Sequence, residues 1–253
     1  MSRAVENYVR YRASPEEWML GRFVVPVARL DEFEAAANGA APLVSALIGA
    51  DLASDLDRIA RSPFLIDAIE MKATESDQVE SAMKRMPPRL TPYFEITDLQ
   101  LIPAIRDTGA RAKIRTGGIT PEAFPEAAEI AKFLLACAEN NVPFKATAGL
   151  HHPLRCHRPL TYSPDGPSGW MFGFLNVFLA AVLARQGLSE DLLEQLLMEE
   201  TPAAFQLSDA QITWAGHTLN VEEIAAGRRE FAISLGSCSF EEPVADLKSL
   251  GLL

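Results

Sequence analysis

The chain has 253 residues, of which 48% are hydrophobic and 23% are charged, so it can bury a sizeable core and is not a disordered chain. It carries 23 lysines and arginines against 34 aspartates and glutamates, which gives a net charge of −11. An acidic surface repels phosphate backbones, so nucleic acid is not an expected partner. The three cysteines are too few for a disulfide framework and no apolar signal segment opens the chain, which together predict a cytoplasmic protein.

The first part of the chain alternates short apolar runs with segments of helical spacing. The apolar runs begin 19 to 30 residues apart, as in parallel strands joined by helices. Six strands are predicted, over 23–27, 43–48, 66–72, 93–97, 112–116 and 142–147. Apolar residues at three- and four-residue intervals predict helices over 51–61, 76–85 and 124–139.

The pattern changes after the sixth predicted strand. Residues 151–169 show no apolar periodicity and have the length of an active-site loop. The elements predicted after this loop are helices over 171–186 and 189–200, strands over 211–215 and 231–235, and a last helix over 241–250.

The most apolar window, 170–184, has 15 residues. A membrane span needs roughly 20, so we predict a buried helix here and no membrane partner. The same helix is a candidate surface for a homo-oligomer.

Eight strands alternating with helices over about 250 residues are typical of a (β/α)8 barrel. We therefore predict an α/β fold in which residues 1–253 form a single barrel domain with parallel strands. The rival is a doubly wound sheet, which usually has a glycine-rich turn after its first strand. Residues 27–30 contain no such turn.

Four consecutive predicted strands carry polar side chains on one face and apolar side chains on the other, because alternate residues of a strand share a face. The polar faces hold Glu70 and Lys72, Glu95, Lys113 and Arg115, and Lys145 and Thr147. In a barrel this face points inward, towards the mouth where active sites lie. Buried charge costs several kcal/mol per ion, which favours a functional role. The alternatives are a solvated edge face and a structural ion pair between Glu70 and Lys72.

Lys145 is the candidate nucleophile. Lys113 lies on the next predicted strand, and a nearby cation lowers the pKa of an ammonium group. A lysine that is neutral near pH 7 attacks a carbonyl carbon and forms a Schiff base. The alternative is that Lys145 only anchors an anionic substrate.

The motif Lys145-x-Thr147-x-Gly149 resembles the Schiff-base strand of the deoxyribose-phosphate aldolase family and related class I aldolases. The segment from Lys113 to Ile119, which contains Gly117 and Gly118, is similar to the second lysine strand of that family, although here it precedes the other strand. The resemblance implies a barrel enzyme with its reactive lysine on the sixth strand.

Two turns are candidates for binding an anionic group. Arg115, Thr116, Gly117 and Gly118 combine a cation, a hydroxyl and backbone amides that form an anion nest. Ser237 lies in a turn of small residues between the last strand and the last helix, where barrels often bind phosphate. The alternative for Ser237 is a simple helix cap.

The loop after the sixth strand contains His151, His152, Cys156 and His157. These residue types ligate transition metals, although their spacing matches no standard zinc motif. The other interpretation is that His151 is a general acid or base, with Arg155 assisting an anion. Cys238 has no neighbour in sequence that indicates a nucleophile.

The leading hypothesis is a lyase, an aldolase-like enzyme acting on a small anionic carbonyl compound without a cofactor or metal. Lys145 forms the imine, Lys113 lowers its pKa, and Glu95 or Glu70 moves the proton. Further substrate contacts are predicted from Lys72, Thr147 and Arg155. Two alternatives remain: a divalent-metal enzyme using Glu70, Glu95 and His151, and a non-catalytic protein that binds a small anion.

Overall fold

The computed structural model describes residues 1–37, 40 and 42–253. These residues group into two compact units, 1–111 and 112–253. That the whole chain is a single domain stays a prediction.

The first unit is built on four parallel strands with helices between them. The strands are β1 (Phe23–Pro26), β2 (Val44–Leu47), β3 (Ile66–Lys72) and β4 (Thr91–Glu95). Each pairs with the next in chain order. The helices are α1 (Ser2–Arg12), α2 (Leu30–Ala37), α3 (Leu52–Ala60), α4 (Ser76–Met83) and α5 (Ile102–Thr108).

Local sequence signals explain where these helices begin and end. The Asp51 side chain accepts hydrogen bonds from the amides of Ala53 and Ser54 and so caps α3. Gly109, at a φ of 71°, ends α5 in the left-handed region that glycine adopts without strain. The predicted helices at α3 and α4 are confirmed, whereas α1, α2 and α5 were not predicted.

The second unit contains three further parallel strands, β5 (Arg111–Arg115), β6 (Phe144–Thr147) and β12 (Ala232–Gly236). Here β6 pairs with both β5 and β12. The other strands are β7 (Cys156–Pro159), β8 (Ser168–Met171), β9 (Phe205–Leu207), β10 (Gln211–Trp214) and β11 (His217–Asn220). The pair β7–β8 is an antiparallel hairpin that begins inside the segment predicted to be an irregular loop and ends two residues beyond it, at Met171.

The helices of the second unit are α6 (Ala127–Glu139), α7 (Phe174–Arg185), α8 (Glu190–Leu197), α9 (Val221–Glu230) and α10 (Glu241–Ser249). As predicted, α7 is a buried helix. Its buried Asn176 donates to the carbonyls of Leu196 and Glu199 and accepts from the amide of Arg155, so its polar groups are satisfied within the core. Among the described residues, no helix is long and apolar enough to span a membrane.

The prediction of a closed eight-stranded barrel is wrong in the number of parallel strands and in the pairing of one of them. In the described ranges the parallel strands number four in the first unit and three in the second. The segment predicted as the seventh barrel strand, 211–215, instead forms β10 of an antiparallel sheet with β9 and β11. The cause is the two-residue turn Ala215–Gly216, whose φ angles of 48° and 83° are those of a hairpin. The α/β class, with parallel strands alternating with helices, is confirmed.

Candidate active site

Two lysines lie side by side on neighbouring strands of the second unit. Lys113 on β5 and Lys145 on β6 are register partners, and each is only 6% exposed. Two residues further along, Arg115 and Thr147 are also partners. Partners in a parallel sheet, and alternate residues of one strand, point to the same face. This face therefore carries three cationic groups and the hydroxyl of Thr147, which donates to the carbonyl of Ile114 at 3.3 Å. That the face binds a small anion stays a prediction.

The backbone pairing of these strands continues one residue into the loops that follow. The amide of Thr116 donates to the carbonyl of Thr147 at 2.8 Å, and the amide of Ala148 donates to the carbonyl of Gly236 at 3.2 Å. The hydroxyl of Thr116 donates to the carbonyl of Ala148 at 2.7 Å. The Thr116 hydroxyl, which was predicted to bind a ligand, thus donates its hydrogen bond to the backbone and links the two loops.

The glycines of the predicted anion nest allow close packing. A Cβ atom on Gly117 would lie 2.4 Å from the ring of Phe124, and one on Gly118 would lie 2.6 Å from the Cβ of Ala123. Gly149, at a φ of 75°, approaches the same phenyl ring. Side chains at these positions would push the two loops apart.

A thiol, an imidazole and a carboxylate meet beyond the ends of β6 and β12. The Sγ of Cys238 lies 3.7 Å from Nε2 of His151, and Nδ1 of His151 lies 2.8 Å from Oε2 of Glu242 on α10. The hydroxyl of Tyr162 donates to the same carboxylate oxygen at 3.2 Å. Ser237 Oγ lies 3.3 Å from Nδ1 of His151. We refer to Cys238, His151 and Glu242 as the thiol cluster.

These contacts change the acidity of the groups in the thiol cluster. The hydrogen bond with His151 lowers the pKa of Cys238 below that of an ordinary thiol, against the opposing effect of burial. Burial lowers the pKa of His151, but Cys238 and Glu242 together raise it more, so the net shift is upward. The arrangement therefore favours a thiolate beside a protonated imidazole.

The neighbouring histidine has a similar carboxylate partner. His152 Nδ1 pairs with the Asp246 carboxylate, one turn beyond Glu242 on α10. The ring of His157 packs edge-on against Trp170, with 5.4 Å between centroids. The three histidines of the loop therefore have three different environments.

Arg155, predicted to assist an anion, is held by aromatic rings. Its guanidinium carbon lies 5.0 Å from the ring centroid of Trp170 and 5.3 Å from that of Phe172. Its Nε lies 3.8 Å from a carboxylate oxygen of Glu200. Burial lowers its pKa. A role for Arg155 in substrate binding stays a prediction.

The carboxylates predicted to move protons lie in the first unit. Glu70 on β3 is 2% exposed, and the hydroxyl of Ser45 donates to its Oε1 at 2.8 Å. Lys72 on β3 is the register partner of Glu95 on β4. The roles of all three in substrate binding and proton transfer stay predictions.

The loop that carries His151, His152, Cys156 and His157, called the histidine loop below, was also a candidate metal site. Within the part of the chain that the structure describes, no three side chains of histidine, cysteine, aspartate or glutamate are grouped so that they could hold a metal ion. The geometry of these residues therefore gives the metal-dependent alternative no support.

Sequence reasoning missed the contacts that His151 makes with Cys238 and with Glu242. The thiol is 87 residues from His151 in the chain, so no local pattern links the two. The available signal was the position of Gly236–Ser239 at the end of a predicted strand and before a helix, where loop residues converge on those of neighbouring strands.

Comparison with known proteins adds no family assignment. No protein-family model matches the chain, and no curated protein matches its sequence.

Proposed function

We propose that the protein is a lyase of the aldolase type, which acts on a small anionic carbonyl compound through an imine on Lys145. The observation that carries this proposal is the register pairing of Lys113 with Lys145, both buried on one face of two parallel strands. Strands hold such a pair more rigidly than loops do, which suits a covalent catalyst.

The paired lysines have distinct roles in this scheme. In this scheme the positive charge of Lys113 favours the neutral amine at Lys145, because like charges on neighbouring strands repel. Arg115, one register pair further along the same face, holds the carboxylate or phosphate of the substrate. Its partner Thr147, whose hydroxyl donates to the carbonyl of Ile114 at 3.3 Å in the structure, lines the same site.

The chemical steps balance without a cofactor. The amine nitrogen of Lys145 attacks the carbonyl carbon, and loss of water gives a protonated imine. A base takes the proton of the hydroxyl group on the departing carbon, which leaves as an aldehyde, and the electron pair of the broken carbon–carbon bond passes to the imine. A proton then quenches the resulting enamine. Water hydrolyses the imine and releases the product. His151 is the proposed proton carrier because its imidazole lies in the loop that follows β6.

The class I aldolase resemblance of the Lys113 and Lys145 segments supports the same chemistry. A cytoplasmic location is proposed with it, since all three cysteines are free thiols, as expected in a reducing compartment. The competing function is a protein that binds the same anion without turning it over.

Borohydride reduction tests the imine directly. The protein is incubated with a panel of small keto acids and sugar phosphates, reduced, and digested for peptide mass analysis. We expect a ligand mass on the peptide that contains Lys145 and none in the Lys145→Arg variant, which keeps the charge but not the nucleophile. Lys132→Arg, at a surface lysine paired with Glu190, is the matched control.

The Lys113→Ala variant provides a second test, in the same borohydride experiment. Without the neighbouring cation, Lys145 stays protonated to higher pH, so adduct formation near neutral pH slows and recovers as the pH rises. Ligand binding without any adduct on Lys145 would instead favour the binding protein, and turnover retained in Lys145→Arg would exclude the imine.

A further inference from the structure

The thiol cluster has the connectivity of a nucleophile, a base and an orienting carboxylate. Nδ1 of His151 faces the Glu242 carboxylate at 2.8 Å, so its N–H donates there. Nε2 lies 3.7 Å from Cys238 Sγ and is therefore the nitrogen that exchanges a proton with the thiol. Nucleophilic enzymes use this order of groups on unrelated folds.

Serine side chains fix the turn that presents the thiol. Ser237 Oγ accepts a hydrogen bond from the amide of Ser239, and Ser239 Oγ accepts one from the amide of Glu242. The cysteine and the carboxylate are thereby held in one short turn. The amide of Ala148 donates to the carbonyl of Gly236 at 3.2 Å, which ties this turn to the loop that carries His151.

The three cysteines of the chain differ in accessibility. Cys238 is exposed, Cys156 is half-buried, and Cys137 is fully buried in α6. Burial raises the pKa of the Cys156 thiol to about 11. Cys238 alone among these three combines access from solvent with an imidazole at its sulfur.

We propose that Cys238, His151 and Glu242 form a catalytic triad that accepts an acyl group from a carboxylic ester or thioester. Nε2 of His151 takes the thiol proton, and the thiolate attacks the acyl carbon. The bond to the leaving alcohol or thiol then breaks, and His151 returns the proton to that leaving group. Water, deprotonated by His151, attacks the new thioester and releases the carboxylic acid, which restores the thiol. This activity uses His151 but not Lys145, and so differs from the imine chemistry proposed for Lys145.

The test uses two acyl donors, 4-nitrophenyl acetate and the acetyl thioester of N-acetylcysteamine. Release of nitrophenolate or thiol is followed by absorbance, and the acetylated residue is located by peptide mass analysis before and after hydroxylamine. We expect one hydroxylamine-sensitive acetyl group, on Cys238, followed by turnover. Cys238→Ser should lose both, while Cys156→Ser should keep both.

Variants of the histidine and the carboxylate test the triad itself. We expect His151→Gln to slow acetylation of Cys238 by about a hundredfold at pH 7, because the general base is lost. Glu242→Gln should slow it by about tenfold through misorientation of the ring. Asp246→Asn, which alters the equivalent carboxylate next to His152, is the matched control and should leave the rate unchanged.

Three results would overturn the proposal: equal acetylation of Cys156 and Cys238, wild-type acetylation in the His151→Gln variant, or a stable acetyl adduct that never turns over. Circular dichroism verifies the fold of each variant. If His151→Gln does not fold, the comparison of Glu242→Gln with Asp246→Asn decides, since both carboxylates are partly exposed. Lys145→Arg should keep the acetylation, so failure of the imine proposal and failure of this one are distinguishable.

Discussion

The lysine pair and the thiol cluster both belong to the second unit, but they are built in different ways. Lys113 and Lys145 lie within strands, and the hydrogen bonds of the parallel ladder set their register. The groups of the thiol cluster lie in two loops and on the first turn of α10. A strand register is cooperative and resists local change, whereas loop positions depend on a few particular contacts. We therefore expect substitutions in the supporting loops to affect the thiol cluster far more than the lysine pair.

The largest expected effect is the difference in reactivity between Cys238 and Cys156. The pKa of Cys156 is raised to about 11, whereas that of Cys238 is lowered below the ordinary value of a thiol. Because the thiolate is the reactive form, the thiolate fraction at pH 7 should be more than about 100-fold larger for Cys238. Iodoacetamide labelling, resolved by peptide mass analysis across a pH series, measures this difference.

The charged and titratable groups around Cys238 define the control for that labelling. They are His151, Tyr162 and Glu242. His151→Gln removes the group that lowers the pKa of the thiol, so the midpoint of the Cys238 labelling curve should move to higher pH. Equal labelling of the two cysteines at pH 7 would show that the thiol cluster does not activate its thiol.

Asn176 offers a second test of whether the loops of the thiol cluster depend on a few particular contacts. Its side chain makes three hydrogen bonds to the backbone, one of them to Arg155 in the histidine loop. Asn176→Leu leaves buried backbone groups unpaired, and we expect it to lower the free energy of unfolding by about 3 kcal/mol. Urea denaturation measures the loss.

Arg228→Lys is a suitable control for Asn176→Leu, because Arg228 packs on Phe178 of the same helix without serving the loop. If loop support is local, the Asn176 variant should also lose selective labelling of Cys238 under conditions where it remains folded. Retained labelling at the wild-type rate would show that the histidine loop is held by other contacts.

The sequence predicted the strand-borne groups well for a physical reason. Alternation within β5 and β6 depends only on neighbouring residues, so the shared face of Lys113, Arg115, Lys145 and Thr147 could be inferred before the structure. The number and pairing of the strands could not be inferred from neighbouring residues. The direction of a strand and its pairing partner depend on turn conformation and on segments that are distant in the chain. The Ala215–Gly216 turn, which makes β10 part of a hairpin, was such a case.

The thiol cluster shows the opposite limit. His151 was predicted as an acid or base because imidazole titrates near neutral pH, and that inference needs no partner. Its partners Cys238 and Glu242 are 87 and 91 residues away, and no periodic pattern connects loops over such distances. Likewise α1 was missed because it is largely polar, with Val5 and Tyr8 as its buried residues.

Gly149 offers a smaller and more local perturbation. It connects β6 to His151, has a φ of 75°, and lies against the ring of Phe124. Gly149→Ala should lower the free energy of unfolding by about 1–2 kcal/mol, through backbone strain and the clash with the ring. Gly187→Ala, which has a similar φ of 84° but no neighbouring atom near its Cβ position, should cost only the strain.

The two glycine variants separate stability from site geometry. Thermal and urea unfolding give the stabilities, and iodoacetamide labelling gives the state of the thiol cluster. We expect Gly149→Ala alone to slow Cys238 labelling, because it moves the backbone that carries His151. A slowing of equal size in Gly187→Ala would assign the effect to general destabilisation.

The smallest expected effect is the contribution of His151 to stability as the pH changes. Its pKa is raised in the folded protein above the ordinary value of 6.5 by Cys238 and Glu242, despite burial.

A raised pKa means that folding is favoured while the ring is protonated. The contribution is therefore complete below the unfolded-state pKa and is lost as the pH rises through the folded-state pKa. Urea unfolding of the wild type and His151→Gln between pH 5 and 9 (about two units either side of neutral) should show a stability difference that shrinks with rising pH. A difference that grows with pH would mean that the ring is neutral in the folded protein, and the thiolate–imidazolium pair would then be absent.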